Sequence, residues 1–539
     1  MPPPNISSLI ADRARELPGS PAIIGGGGAV TFAELEADVA LLAAGLRAAG
    51  VKSGARAALL ITPSADFVAL TFALYRAGAI TVLIDPGIGL PAMKRCLEEA
   101  APEAFAGVTK AHVARLLFGW APSSKLNITA GRKLLWGGLT LDALRELGRA
   151  AGDGIGDTKP HGVPDIPETA SINFTSGSTG APKGAVYTHA MLHAQAAMLK
   201  EYFGITPGFT SVPTFPLFAL FDVALGLTIV IPEMDFARPA AADPAMLCRL
   251  MNQHGAAQLF GSPALIDNLG RYGERTGTKL PSLERVISCG APVRQAVIDR
   301  VSKMLRPGVP VHTPYGATEA LPVACISGEE LSALGPGFGV CVGKPWPGVE
   351  VSVIRIDDGP IEDWSPELAV KDGEVGEITV KGPIVSPRYF NRPEGDALAK
   401  IKCPGGGIYH RMGDAGWRDA EGRLWFCGRK SHRVVTAEAT LFTIPCESVF
   451  NAHPGVRRTA LVGVGPAGAK RPVICVEPEP GKKPGPGLTE ELLALGAGEP
   501  HTKNIRDILY HPGFPVDVRH NAKIGREKLA AWAAGRLKP

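Results

Sequence analysis

Cysteine is used sparingly in this 539-residue chain: nine residues, at 96, 248, 289, 325, 341, 403, 427, 446 and 475, with no C-x-x-C pair. An odd number at wide spacing argues against a disulfide framework or a zinc site and predicts a reducing, cytoplasmic setting. Excess charge is lacking too. Lys and Arg number 56 against 52 Asp and Glu, a net +4 that is slight for the length. No basic run interleaves with aromatics, so no nucleic-acid partner is predicted. The start, "MPPPNISSLIADRARELPG", lacks the basic-then-apolar layout of a signal peptide. Long apolar runs are also missing. The nearest, "PLFALFDVALGLTIVIP" from Pro216 to Pro232, is interrupted by Asp222 and bounded by proline. It is too short and too broken for a transmembrane segment, and reads as a buried core element or an apolar substrate wall.

What is present is material for more than one domain: 45% of residues are hydrophobic, ample for buried cores at this length. The first 170 residues alternate helical and strand patterns. "TFAELEADVALLAAGLRAAG" opens with Thr31 and Glu34 in capping-box spacing and runs amphipathically to Gly50. "RAALLI" and "AITVLID" are short apolar strands separated by the helical "SADFVALTFALYRAG", and "AAQLFGSP" and "RVISCGAP" continue the pattern. This is an α/β fold with largely parallel sheets, whose ligands bind beyond the carboxyl ends of the strands. From about Gly373, "GEVGEITVKGP" and "GWRDAEGRLWFCGR" predict a β-rich subregion of short strands and Gly-centred turns. "PEPGKKPGPG", from Pro478 to Gly487, reads as an exposed loop.

"NFTSGSTGAPKGAVYTH", from Asn173 to His189, has the composition of a phosphate-binding loop between the strand "ASINF" and the helix "AMLHAQAAMLKEYFGI". Glycines at 177, 180 and 184 let backbone N–H groups turn toward an anion, and Thr175, Ser176, Ser178 and Thr179 add hydroxyl donors. Lys183 supplies the positive charge. A flexible Gly/Ser linker is the bland alternative. A Walker A loop fails, because Pro182 precedes the lysine and Gly184 follows it. A nucleophile elbow around Ser178 fails as well, because position 176 is serine.

Four more motifs follow in order: "TPYGATE" (313–319), "GEITVKGP" (376–383), "RMGDAGWRDAEGRLWFCGR" (411–429) and "HNAKIGREKL" (520–529). With the loop, they resemble the adenylate-forming (ANL) superfamily of acyl-CoA synthetases, peptide-synthetase adenylation domains and luciferases, over nearly the whole chain. The resemblance implies a large N-terminal AMP-binding domain, 1–429, and a small mobile α+β C-terminal lid, 430–539, hinged near Arg429 to Ser431. It implies ATP and Mg²⁺ as cofactors. Thr175, Ser176, Gly177, Ser178, Thr179, Gly180 and Lys183 would cradle the β- and γ-phosphates. Gly290, Ala291 and Pro292 would line the adenine, with Tyr315, followed by Gly316, stacking on its face. Thr318 would bond the α-phosphate, and Glu319 would hold the metal, a hard cation that takes oxygen ligands. Asp414 would accept the ribose hydroxyls, Arg429 would donate to the nucleotide, and Lys523 would bridge the substrate carboxylate and the phosphate. Singly, Tyr315 could be core, Glu319 a helix-start acid, Asp414 a turn former and Lys523 a solvated charge; their order and company carry the reading.

Two departures narrow it. Ala219 stands in "PLFALFD" where many acyl-CoA synthetases carry histidine, and after the hinge Ser431 occupies the usual aspartate pivot. Glu438 takes the place of a glycine that normally lines the pantetheine tunnel, where a carboxylate would repel the phosphates of CoA. Within the superfamily, "VLIDPGIGL", "PEAFAGVTKAHVARLLFGW", "FPLFALFD" and "FPVDVRHNAKIGREKLAAWA" are similar to the branch of β-lactone synthetases in bacterial long-chain olefin biosynthesis. That resemblance implies a long-chain 2-alkyl-3-hydroxyalkanoic acid as substrate and association with other enzymes of olefin biosynthesis. A long-chain fatty acyl-AMP or acyl-CoA ligase is the alternative. A non-catalytic nucleotide-binding module is the third reading, opposed by Lys183, Glu319 and Lys523 occurring together. His189 and His432 are candidates, by chemistry alone, for a base acting on the 3-hydroxyl, and a structural role is the stronger reading of each.

Overall fold

A computed structural model describes residues 4–152, 168–174, 182–482, 484–516 and 524–537. Two large sheets organise everything before Arg429. The first has seven strands in the spatial order Leu139–Thr140, Leu126–Ala130, Ala104–Val108, Arg56–Leu60, Ile80–Ile84, Thr169–Phe174 and Gly184–Thr188. All pairs are parallel except the last, which is antiparallel. The intervening helices include Phe32–Ala48, which starts on the predicted Thr31–Glu34 capping box, and Ala65–Arg76. Strands such as Ala104–Val108 are apolar at nearly every position because helices cover the faces of a parallel sheet.

The second sheet has fourteen strands. Its parallel half contains Pro21–Gly25, Thr210–Pro213, Thr228–Val230, Gln258–Gly261, Arg285–Ser288 and Val311–Ala317. At Val311–Ala317 the direction changes: Ala320–Ser327 folds back antiparallel, and Val340–Pro345, Leu424–Arg429, Ile408–Arg418 and Gly376–Lys381 extend that pattern. The β-rich region therefore begins some fifty residues before the Gly373 expected from composition. The turn that opens this region lies at Thr318–Glu319, a pair without the glycine or proline that would mark a turn.

Beyond Arg429 the chain builds a three-stranded sheet from Val456–Val464, Arg471–Pro478 and Asp507–Tyr510. The helices Thr443–Asn451, Pro486–Ala497 and Arg526–Ala534 cover it. Period-two alternation assigns its faces. Leu461, Ile474 and Val476 pack with Phe450 and Leu492, whereas Ala460, Val462, Val473 and Cys475 pack with Phe514 and Leu529. "PLFALFDVALGLTIVIP" folds as the helix Pro216–Ala224 and the buried strand Thr228–Val230. Among the described residues, no helix is long and apolar enough to cross a membrane.

Candidate active site

A cavity of about 1500 Å³ opens among the two large sheets and the C-terminal portion. Every described residue of the predicted site lines it. Gly290, Ala291 and Pro292 follow the strand Arg285–Ser288; Tyr315 and Gly316 end the strand Val311–Ala317; Thr318 and Glu319 form the turn after it. Lys183, Asp414 and Arg429 complete the set. Thr175, Ser176, Gly177, Ser178, Thr179, Gly180 and Lys523 lie outside the described residues. Their flanks are described: Phe174 and Lys183 on one side, Ile524 and Arg526 on the other, all lining the cavity.

The polar end is a set of interlocked side chains. Asp414 and Arg429 are cross-strand partners on Ile408–Arg418 and Leu424–Arg429. Arg429 Nη1 donates to Asp414 Oδ1 at 2.8 Å and to Met412 O at 3.0 Å. Tyr315 Oη donates to the other carboxylate oxygen at 2.7 Å. The Asp414 charge raises the pKa of Arg429, and burial followed by that same charge pushes Tyr315 well above the ordinary phenol value.

Glu319 is held by a residue that motif reading passed over: Tyr389 Oη donates to Glu319 Oε1 at 2.8 Å. The Tyr389 ring lies 4.9 Å from Lys183 Nζ and 5.4 Å from Lys400 Nζ, within cation–π range. Lys400 also donates to Ser386 O at 2.5 Å, and burial lowers its pKa to about 8. Tyr389 thus links the cation expected at phosphate to the carboxylate expected at metal. It sits in "PRYFNRP", a loop with no periodicity to mark it. A carboxylate on this wall beside a threonine hydroxyl is an oxygen donor set that fits Mg²⁺.

Gly184 has a different duty from the one read from composition. It starts the strand Gly184–Thr188 opposite Phe174, and a Cβ there would stand 2.7 Å from Ile172 Cγ2 and 3.2 Å from the Phe174 ring. Its lack of a side chain is required by sheet packing.

Arg526, also unforeseen, carries the C-terminal portion to the cavity. Its guanidinium pairs with the buried Glu447, with Nη2 to Oε2 at 3.1 Å, and Glu447 Oε1 in turn accepts from Leu461 N–H at 2.8 Å. Gly428 permits the same approach: at φ +118°, a Cβ there would lie 2.1 Å from Thr443 Oγ1. After Arg429 the chain is tied back, with Lys430 Nζ donating to Glu377 Oε2 at 3.0 Å, where Arg411 also pairs. Glu438 is exposed, has no positive φ, and accepts from Asn504 Nδ2 at 3.1 Å.

The two histidines separate. His189 is buried, accepts from Ile6 N–H at 3.2 Å and packs edge-on against Tyr75; it does not line the cavity. His432 does line it. Burial and then Arg526 lower its pKa to about 4, and its Nε2 lies 3.6 Å from Glu527 Oε1.

The opposite end is apolar. Phe215, Leu217, Phe218 and Phe221 line it from the helix Pro216–Ala224 and its N-cap, and Phe218 stacks on Phe260 at 3.6 Å. Asp222 fastens this helix by accepting from Ser211 Oγ at 2.7 Å and Gln258 Nε2 at 3.0 Å. A volume of about 1500 Å³ exceeds the roughly 300–1,000 Å³ of a single small-molecule site, so there is room for a nucleotide and a long acyl group together.

A family model for AMP-binding enzymes matches residues 10–390. The chain is 48% identical over 551 residues to the olefin beta-lactone synthetase of Xanthomonas campestris pv. campestris, covering 98% of this chain and 97% of that protein. It is likewise 48% identical over 555 residues to that of Stenotrophomonas maltophilia, covering 99% of each. Among solved structures, o-succinylbenzoate coenzyme A synthetase from Bacillus subtilis in complex with ATP and magnesium ion superposes with a TM-score of 0.75. It is 22% identical, covering 97% of this chain and 98% of that one.

Proposed function

The chain belongs to the AMP-binding enzyme family, and from that premise we propose that it is an ATP-dependent olefin β-lactone synthetase acting on a long-chain 2-alkyl-3-hydroxyalkanoic acid. The observation that carries this reading is the 48% identity, over nearly the full length of both chains, to enzymes of that name.

The chemistry runs in two steps. The substrate carboxylate attacks the α-phosphorus of ATP and expels pyrophosphate. The 3-hydroxyl oxygen then attacks the acyl carbon, the acyl–phosphate bond breaks, and AMP leaves as the four-membered ring closes. Asp414 and Arg429 orient the ribose, and Tyr315 with Gly290, Ala291 and Pro292 forms the adenine wall. Thr318 and the loop from Thr175 to Gly180 with Lys183 receive the phosphates. Lys523 offsets charge where carboxylate meets phosphate. Glu319, oriented by Tyr389, would hold Mg²⁺, which neutralises phosphate charge when bound. His432 takes the hydroxyl proton. Of the two candidate bases it is the one that lines the cavity, with Glu527 Oε1 3.6 Å from its Nε2.

Residues 1–429 form the nucleotide-binding body and 430–539 the lid, with the pivot at Ser431. Because nucleophile and acyl-adenylate belong to one molecule, near-attack placement replaces a second bound substrate, and CoA is dispensable. Glu438 in place of the tunnel glycine fits that reading.

The test is mass spectrometry of the products formed from ATP, Mg²⁺ and the acid, with and without CoA. The 3-hydroxy acid should give AMP and a neutral product of acid mass minus one water, whereas the 3-deoxy acid should stop at the acyl-adenylate. Steady conversion of the deoxy acid to acyl-CoA, with no lactone from the hydroxy acid, would return the protein to the long-chain acyl-CoA or acyl-AMP ligases.

A further inference from the structure

The helix Thr109–Phe118 inverts the usual assignment of side chains. Its small residues Ala111 and Ala114 pack inward beside Phe105, whereas Val113, Leu116, Leu117 and Phe118 are exposed by 38–73%. The loop beside it adds Leu134 and Leu135, the latter fully exposed. Helix and loop form one surface: Thr109 Oγ1 donates to Arg132 O at 2.5 Å, and the His112 ring stacks on Trp136 at 5.2 Å. Of the ten large apolar side chains exposed among the described residues, six lie here. Scattered exposed leucines need no explanation, but a concentration of this kind does.

Charge indicates what covers it. From Ala104 to Thr140 the chain has five basic residues, Lys110, Arg115, Lys125, Arg132 and Lys133, and no Asp or Glu, in a protein whose net charge is only +4. Lys110 and Arg132 are exposed at the rim of the leucines. Leucine and phenylalanine flanked by cations is the chemistry of an element lying in the headgroup region of an anionic bilayer. A symmetric contact with a second copy would set basic rim against basic rim, which disfavours it. Ala111, on the same helix, lines the cavity of the active site.

We propose that this patch docks the protein on an anionic lipid bilayer, on the outer side of a helix whose inner side reaches the cavity through Ala111. That the bilayer supplies the acid and takes up the lactone rests on the function proposed above; the docking does not, and it is measured without substrate. The experiment floats the full-length protein with vesicles of phosphatidylglycerol and phosphatidylethanolamine, or of phosphatidylcholine alone, at low and high salt. Wild type should float with the anionic vesicles and at least threefold less with phosphatidylcholine or at high salt. Leu117→Glu combined with Leu135→Glu should reduce flotation at least tenfold, and Lys110→Glu combined with Arg132→Glu should remove the salt dependence. ATP–pyrophosphate exchange with a short, water-soluble 3-hydroxy acid should stay within twofold in each variant, which verifies folding. Absence of wild-type flotation, or equal flotation of the leucine variant, overturns the proposal. So does a wild-type dimer in sedimentation that the leucine variant converts to monomer without change in lipid binding; the patch would then be a self-interface.

Discussion

The two ends of the cavity are built on different principles. At the polar end each side chain is fixed by another: Tyr315 and Arg429 grip the two oxygens of Asp414, and Tyr389 holds Glu319. At the apolar end Phe215, Leu217, Phe218 and Phe221 touch the cavity with shape alone, on a helix fastened by Asp222. Directional bonds set where charge develops, so that end tolerates little change. A greasy wall sets only volume and length, and it can be recut. On the function proposed above, chemistry would belong to the first and substrate choice to the second.

The largest effect that would test this contrast is at Lys523. On the role proposed for Lys523, Lys523→Ala should lower ATP–pyrophosphate exchange by about 10²- to 10³-fold, the effect of losing a charge that stabilises the reacting phosphate. ATP binding, measured by calorimetry, should persist, because the other nucleotide residues lie before Arg429. Near-normal exchange would place the bridging cation elsewhere.

Asp414→Ala comes next. It removes the carboxylate placed at the ribose and leaves the Arg429 guanidinium, itself 35% exposed, without that partner. KM for ATP should rise by roughly 100-fold and the melting temperature should fall together with it. A variant impaired only in kcat would break the assignment to nucleotide binding.

Phe218→Ala should sharpen the contrast from the other side. With the stack on Phe260 lost, kcat/KM for a long-chain acid should drop by about tenfold, while a short acid is adenylated nearly as before. Equal losses on both would show that the helix serves structure, not selection.

On activity itself the smallest effect is that of pH, which acts through stability. His189 and His312, beside Tyr75 and Phe203 of the apolar wall, have pKa values lowered to about 4, chiefly by burial, against an ordinary 6.5. The unfolded chain therefore binds more protons between those values, and stability present above pH 6.5 is lost as pH falls toward 4. Each histidine contributes up to about 2 kcal/mol of this between pH 7 and 5. Melting temperature by calorimetry should fall over that range, and His189→Gln should flatten the slope. An unchanged slope would mean that other groups take up the protons.

The sequence alone determined most of the elements and which polar residues would come to one cavity. Thr31 and Glu34 announce a helix start, apolar runs announce parallel strands, and ordered motifs name Tyr315, Glu319, Asp414 and Arg429, because local hydrogen bonding and chemical type are local properties. Tertiary structure decided what depends on distant approach. Tyr389 became the partner of Glu319 across seventy residues, Arg526 found Glu447 across seventy-nine, and Gly184 proved to be a packing glycine. "PLFALFD" could be core or wall until the sheets placed one flank of its helix against open volume. "ARLLF" could have been buried until the fold turned its alanines inward and its leucines out. Burial is a property of the whole packing arrangement, and an apolar residue carries no mark of which neighbour, or which solvent, it will meet.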